Sequence, residues 1–373
     1  MAIAHLGLAD GFLFSGQSLF RTNNVVVGEL VFSTATCGYT EILTDPSYVG
    51  QIVVLANPEI GNYGVSFADF QSPDIKVKGL VVRQLSMSAS SWRSDLTLRD
   101  WLMRENVPTI VGVDTRALIA HIREQGAMMA AMAPAHDISM EQTLNLARSA
   151  EPMAGQRLSH LVSVQKPKHI KNDLVSTPLH VVVLDFGIKQ AIIDNLMRLG
   201  ANLTLLPGQS TCEEILSKGP DGLFLSNGPG DPKTENLAVQ TVRTLLGKIP
   251  IFGVCLGHQI LAQALGNTTF KLKYGHRGSN QAVRCRDGAL ITTAQNHGFA
   301  VDISPDDRRI FATNISDGTN EGIYAPDLMA FSVQFHPEGA PGPLDGAFYF
   351  QQFIEIMLHI KAVRASGISD DLG

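Results

Sequence analysis

The chain has 373 residues, 45% of them hydrophobic and 17% charged, and a formal net charge of -6. That size and balance suit two folded domains with sizeable cores and exclude a disordered polymer, a basic nucleic-acid binder and a polybasic membrane-surface protein. Four cysteines (Cys37, Cys212, Cys255, Cys285) lie far apart with no C-x-x-C pair. Neither a disulfide framework nor a zinc site is signalled, and a reducing cytoplasm is expected. The opening residues, Met-Ala-Ile-Ala-His-Leu-Gly-Leu-Ala-Asp-Gly, carry no basic n-region, and no apolar run approaches the roughly 18 residues of a membrane helix, so export and anchoring are not expected.

The N-terminal half begins β-rich. Residues 6–16 alternate around Asp10-Gly11, a pair that favours a tight hairpin, and residues 25–32 and 51–55 read as further strands. Two stretches dense in turn residues and aromatics, residues 37–48 and 57–64, can bind a ligand or serve as plain connections. Thr97-x-x-Asp100 opens a short helix before Pro108, Asp114-Thr115 caps one over 116–125 that Gly126 stops, and Ser139-x-x-Gln142 starts another. Past Pro152 the periodicity fades through a polar, proline-containing stretch. Residues 1–150 are therefore expected to form one domain, 151–178 a linker and 179–373 a second domain.

From His180 strands and helices alternate: a strand at 180–186, a helix at 189–199 stopped by Gly200, a strand at 201–207 and a helix opened by Thr211-x-x-Glu214. A strand at 222–226, a helix over 234–246 and a short apolar strand before Cys255 follow. Short βα repeats of this kind imply an α/β architecture, a doubly wound sheet with its ligands at the carboxyl ends of the parallel strands, beside a separate β-rich α/β N-terminal domain. Beyond Gly266 the expectation is short strands at 268–273 and 290–293 separated by loops, a strand over 328–335 and a closing helix over 346–362.

Cys255 stands between a buried strand and a helix whose face is Ile260, Leu261, Ala264 and Leu265. A side chain at such a turn is lifted from the sheet edge towards the positive end of the helix, which favours a thiolate nucleophile. Most cysteines are small buried hydrophobes, but flanking Gly253 and Gly257 would let the backbone come close to a substrate. Ser226-Asn227-Gly228-Pro229-Gly230-Asp231-Pro232 follows a strand at the same edge, and its glycines can offer N–H groups to a ligand or simply make a turn. Neither G-x-G-x-x-G nor G-x-x-x-x-G-K-[ST] is present, so nucleotide binding is not indicated. His336-Pro337-Glu338 ends a strand, and residues two apart point the same way, so Glu338 can orient one imidazole nitrogen while the other faces the thiol.

Together the GPGDP loop, Gly253-Val254-Cys255-Leu256-Gly257-His258-Gln259 and His336-Pro337-Glu338 resemble the class I (triad) glutamine amidotransferases. Residues 38–48, the Asn57-Pro58-Glu59-Ile60-Gly61-Asn62-Tyr63-Gly64 segment and Gln295-Asn296-His297-Gly298-Phe299-Ala300-Val301 narrow the resemblance to the small, glutamine-hydrolysing subunit of carbamoyl-phosphate synthetase, over essentially the whole chain. One departure is Phe335, where that family often has a small residue, with access to His336 at stake.

The resemblance implies that Cys255 attacks the glutamine side-chain amide, His336 moves the proton and Glu338 holds the imidazole. It implies an oxyanion site from the N–H groups of Leu256 and of the Gly228–Gly230 turn, and a glutamine pocket from Ser47, Gln259, Asn296, Gly298 and Phe299. His258 and His297 read as structural. No cofactor or metal is expected in this chain; ATP and metal belong to the large partner subunit that the resemblance implies. That partner would make carbamoyl phosphate from bicarbonate and channelled ammonia, for arginine or for pyrimidines. Two other readings stay open at this stage: a stand-alone γ-glutamyl hydrolase with the same triad, and a catalytically idle regulatory subunit.

Overall fold

The computed structural model describes residues 2–19, 25–176 and 178–366. Residues 1 and 20–24, Thr177 of the expected linker and residues 367–373 of the expected second domain lie outside the described residues. The chain divides into two compact units, one of residues 1–156 with 272–279, the other of residues 157–271 with 280–373.

In the first unit, seven strands close a barrel: β1 (Ile3–Leu8), β2 (Leu13–Ser18), β3 (Val26–Ser33), β4 (Gln51–Leu55), β6 (Gly79–Val82), β8 (Thr109–Val111) and β9 (Met128–Pro134). Their order around it is β1-β2-β8-β6-β4-β3-β9. A separate parallel pair, β5 (Glu59–Ile60) with β7 (Gln84–Leu85), lies beside it in the chain. The period-2 alternation of β4 sends Ile52 and Val54 to one core, with Leu118 and Ile122 of α3 (Thr115–Gln125), and Val53 and Leu55 to another. That second core is filled by α1 (Tyr39–Thr44) and α2 (Leu98–Arg104), including the buried Trp101. The helix starts follow the capping residues: Thr97 accepts from the Asp100 N–H, Asp114 from the Ala117 N–H, and Ser139 with Gln142 makes a full capping box for α4 (Met140–Arg148).

The second unit is built on a ten-stranded sheet in the order β10-β12-β11-β13-β14-β19-β18-β17-β15-β16. Its strands are β10 (Lys168–Ile170), β11 (Leu179–Asp185), β12 (Ala201–Pro207), β13 (Gly222–Leu225), β14 (Ile251–Val254), β15 (Thr268–Cys285), β16 (Leu290–Asp302), β17 (Ile310–Asn314), β18 (Asn320–Ala325) and β19 (Ala330–Val333). The run β12-β11-β13-β14-β19 is parallel, and the rest pair antiparallel where the register is defined. Both faces are covered. Val181, Val183, Phe224 and Phe252 face α5 (Gln190–Arg198) and α9 (Phe348–Ser366), whereas Val182, Leu184, Leu223 and Ile251 face α6 (Cys212–Leu216), α7 (Asn236–Leu245) and α8 (Leu256–Ala264).

Two expectations change. Residues 168–170 of the expected linker form β10, an edge strand antiparallel to β12. Residues 268–302 are two long strands rather than short strands broken by loops. The loop expected after residue 273 holds Gly275 and Gly278, but segments distant in the chain pair with this backbone: the Lys273 carbonyl accepts from the Ala127 N–H (2.7 Å) and the Arg277 carbonyl from the Thr34 N–H (3.2 Å). No helix among the described residues is long and apolar enough to cross a membrane.

The middle of the second core is aromatic. Phe252 is fully buried, stacked on Phe331 at 4.4 Å between centroids and edge-on to Phe224 at 5.3 Å. Replacing Phe252 with Ala should cost the second unit about 3–5 kcal/mol in urea unfolding. A loss below about 1 kcal/mol would mean that this cluster does not hold the sheet centre together.

Candidate active site

Everything chemically notable gathers where the parallel strands end. β14 runs directly into α8, and Cys255 between them takes φ 55° and ψ -104°, a conformation that costs a non-glycine residue about 1–3 kcal/mol. The neighbours impose it. A Cβ on Gly253 would lie 2.6 Å from the Gly257 carbonyl oxygen, and a Cβ on Gly257 would lie 2.1 Å from the Leu225 carbonyl oxygen. The two glycines therefore let α8 press onto β13 and β14. The Cys255 N–H is tied to the Val333 carbonyl (3.0 Å) and its own carbonyl accepts from the Gln259 N–H (3.2 Å). Although Cys255 is only 3% exposed, its thiol faces polar atoms, donating towards the Asn296 carbonyl at 3.6 Å.

His336 and Glu338 follow β19, which is parallel to β14 and adjacent to it. The His336 N–H donates to the Ala294 carbonyl (2.8 Å), pinning the residue to β16. Its Nδ1 lies 2.7 Å from Glu338 Oε1, the base-and-orienter pair expected from the sequence. Lys189, which the sequence reading passes over, completes a buried chain: its Nζ donates to Glu338 Oε1 at 2.6 Å and also to the Ala340 carbonyl. Lys189 is the N-cap residue of α5. A cation at a helix N-terminus opposes the dipole, and that mismatch at a strand's carboxyl end is the signal that could have revealed it. The turn carrying Lys189 is held by buried Asp185, whose Oδ1 accepts from the N–H groups of Gly187 (2.9 Å) and Ile188 (2.8 Å).

Burial pushes the Glu338 carboxyl up, but the Lys189 ammonium and the imidazole outweigh it and hold the group down, at about 2. Burial likewise pulls His336 down, and the Glu338 carboxylate, helped by Cys255 on its other side, raises it well above an ordinary imidazole. The Glu338 carboxylate thus favours the protonated form of the imidazole.

Ser226–Pro232 follows β13 at the same edge. Gly228 passes so close to Phe186 that a Cβ there would lie 2.3 Å from the Phe186 carbonyl oxygen, and Gly230 has φ 99°. Asn227 ties this loop to the Lys189 turn by accepting from the Lys189 N–H at 3.2 Å. Leu256 is the first helical residue of α8, so its N–H has no partner within the helix.

Of the residues expected to hold glutamine, Gln259, Asn296, Gly298 and Phe299 lie in the second unit with Cys255. Gln259 commits its amide N–H groups to the protein, donating to the Phe299 carbonyl (2.9 Å) and to Gln334 Oε1 (3.0 Å). Ser47 lies in the first unit, buried on the turn Pro46–Tyr48, with its N–H held by Asp45 Oδ1 at 2.8 Å. His258 is fully buried against Ser332 Oγ at 2.9 Å, and burial lowers its pKa to about 3, which keeps it neutral. Phe335 points into the core, packed on Tyr349 with centroids 5.9 Å apart, so the bulk at this position fills the interior under α9.

Residues 6–132 match the family described as "Carbamoyl-phosphate synthase small chain, CPSase domain", and residues 182–356 match "Glutamine amidotransferase class-I". A carbamoyl phosphate synthase small chain from Syntrophotalea carbinolica is 43% identical over 368 residues, covering 95% of this chain and 97% of that one. The Akkermansia muciniphila protein of the same description is 43% identical over 97% of this chain and 99% of its own. The one from Archaeoglobus fulgidus is 42% identical over 95% and 98%. With both matched regions present in one polypeptide and relatives aligned almost end to end, the chain belongs to the carbamoyl-phosphate synthase small chain family.

Proposed function

We propose that this chain hydrolyses L-glutamine and hands the ammonia to a large ATP-using partner that makes carbamoyl phosphate from bicarbonate. The observation that carries this reading is the placement of Cys255 in a strained strand-to-helix turn, in the same unit as an imidazole hydrogen-bonded to a buried carboxylate. The Cys255 thiolate attacks the side-chain amide carbon, and the resulting oxyanion is met by N–H groups of Leu256 and the Gly228–Gly230 turn. The C–N bond then breaks, and the nitrogen leaves as ammonia with the proton held by His336. Water attacks the glutamyl thioester, giving its proton back to His336; the C–S bond breaks, releasing glutamate and restoring the thiolate.

Glu338 orients the imidazole and favours its protonated form, and Lys189 keeps the Glu338 carboxylate ionised. In the second unit, Gln259, Asn296, Gly298 and Phe299 hold glutamine beside Cys255. The chain needs no cofactor of its own for these steps, and ATP and metal act on the large subunit. Four free thiols support a reducing, cytoplasmic setting. No observation favours the stand-alone hydrolase or the idle subunit, and a complete buried triad speaks against the latter.

Replacing Cys255 with Ser should lower glutamine-dependent carbamoyl phosphate synthesis by the complex by roughly 10⁴-fold or more, while synthesis from added ammonium salt continues. Glutamine use at the wild-type rate would sink the reading. Glu338→Gln removes the charge that raises His336, leaving burial to pull it down. The protonated imidazole is then lost at lower pH, so the alkaline limb of kcat/KM for glutamine should move down by about 1–3 units, with kcat falling roughly 10²–10⁴-fold. An unmoved alkaline limb would contradict the assigned role of Glu338.

A further inference from the structure

We propose that Glu321, on β18, is a positioning residue for the glutamine pocket: through the Gln295 amide and the His297 ring it fixes the segment 296–299 that passes the Cys255 sulfur. This rests on the glutamine reading above. Glu321 is fully buried. Its Oε1 accepts from Gln295 Nε2 and from Asn314 Nδ2, each at 2.9 Å. Gln295 Oε1 lies 3.1 Å from His297 Nε2, and His297 Nδ1 lies 2.7 Å from the Phe299 carbonyl oxygen. That oxygen also accepts from Gln259, one helical turn past Cys255. One residue towards Gln295 from His297, the Asn296 carbonyl receives the thiol itself. A second path closes the loop. The Gln334 N–H donates to the Glu321 carbonyl at 2.9 Å, and Gln334 Oε1 accepts from Gln259, two residues before His336 in the chain.

Donor and acceptor counting sets what this chain must hold. Both nitrogens of His297 face oxygens, those of Phe299 and Gln295. A neutral imidazole has one N–H and can satisfy only one of them. Either His297 carries both protons opposite an ionised Glu321, or the Gln295 amide is turned end for end and Glu321 carries the proton that its oxygen then receives. The two arrangements share the same heavy-atom positions and contain the same number of protons. The Phe299 carbonyl is hydrogen-bonded in either case. Burial pushes the Glu321 carboxyl up to about 8, which favours the arrangement with the acid protonated. An amide at position 321 can donate to Gln295 as that acid does; a methyl group cannot.

The test is steady-state glutamine hydrolysis by the assembled complex. Glu321→Ala should raise KM for glutamine about 10- to 100-fold, with kcat within about threefold of wild type. Glu321→Gln should restore KM to within about threefold of wild type. Should the Ala variant fail to fold, Gln295→Met removes the same link at similar volume and should raise KM in the same range. A KM within threefold of wild type for the Gln295 variant, or a fall in kcat without a change in KM, overturns the proposal. Failure of Glu321→Gln to restore KM overturns it also. Wild-type complex that does not hydrolyse glutamine at all would instead overturn the functional reading on which this one stands.

Discussion

The close approach of α8 to β13 and β14 is the constraint from which the site follows. Two missing side chains, at Gly253 and Gly257, allow the first turn of α8 to lie against β13 and β14, and the chain between them takes a positive φ at residue 255. The strain is sustained because hydrogen bonds at both ends, from the Cys255 N–H to β19 and from Gln259 to the Cys255 carbonyl, over-determine it. It also places Cys255 at the N-cap of α8, where the first N–H groups have no partner within the helix. Position, electrostatics and strain at the thiol thus have a single origin in packing.

Around it the polar groups are arranged to keep charge inside an apolar unit. A buried carboxylate alone would take up a proton; between an ammonium and an imidazole, Glu338 stays ionised. The result is a cation–anion–cation sequence, Lys189, Glu338, His336, each member contributed by a connection at the carboxyl end of a strand in the parallel run of one mixed sheet. Such a chain is costly to desolvate and is tolerable only because every link is short and the surrounding strands fix the geometry. The polar path through Glu321, Gln295 and His297 is built of buried hydrogen bonds too, with an amide group as a link.

Much of this was legible beforehand, for identifiable reasons. The βα alternation, the capping residues at 97, 114, 139 and 211, and the elbow at Cys255 are local signals, each encoded within a few residues. His336 and Glu338 could be paired because a strand points alternate residues the same way. Residues 268–302 misled because glycines mark breaks only when the backbone lacks partners, and here segments more than a hundred residues away supply them. The expected linker misled likewise, since the edge strand at 168–170 exists only through β12.

The sequence by itself determined the α/β class, the turn that carries Cys255 and the family the chain belongs to, because these depend on short-range periodicity and on motifs of adjacent residues. Only the tertiary structure decided that Lys189 joins Glu338 and His336, that Gly253 and Gly257 serve helix-to-strand packing, and that Glu321 reaches the segment beside the sulfur. Those are contacts between residues up to 149 positions apart, as Lys189 and Glu338 are. A hydrogen bond between such groups leaves no trace in the spacing of either, since it is the sheet order, β11 and β19 ending at one edge, that brings them within reach.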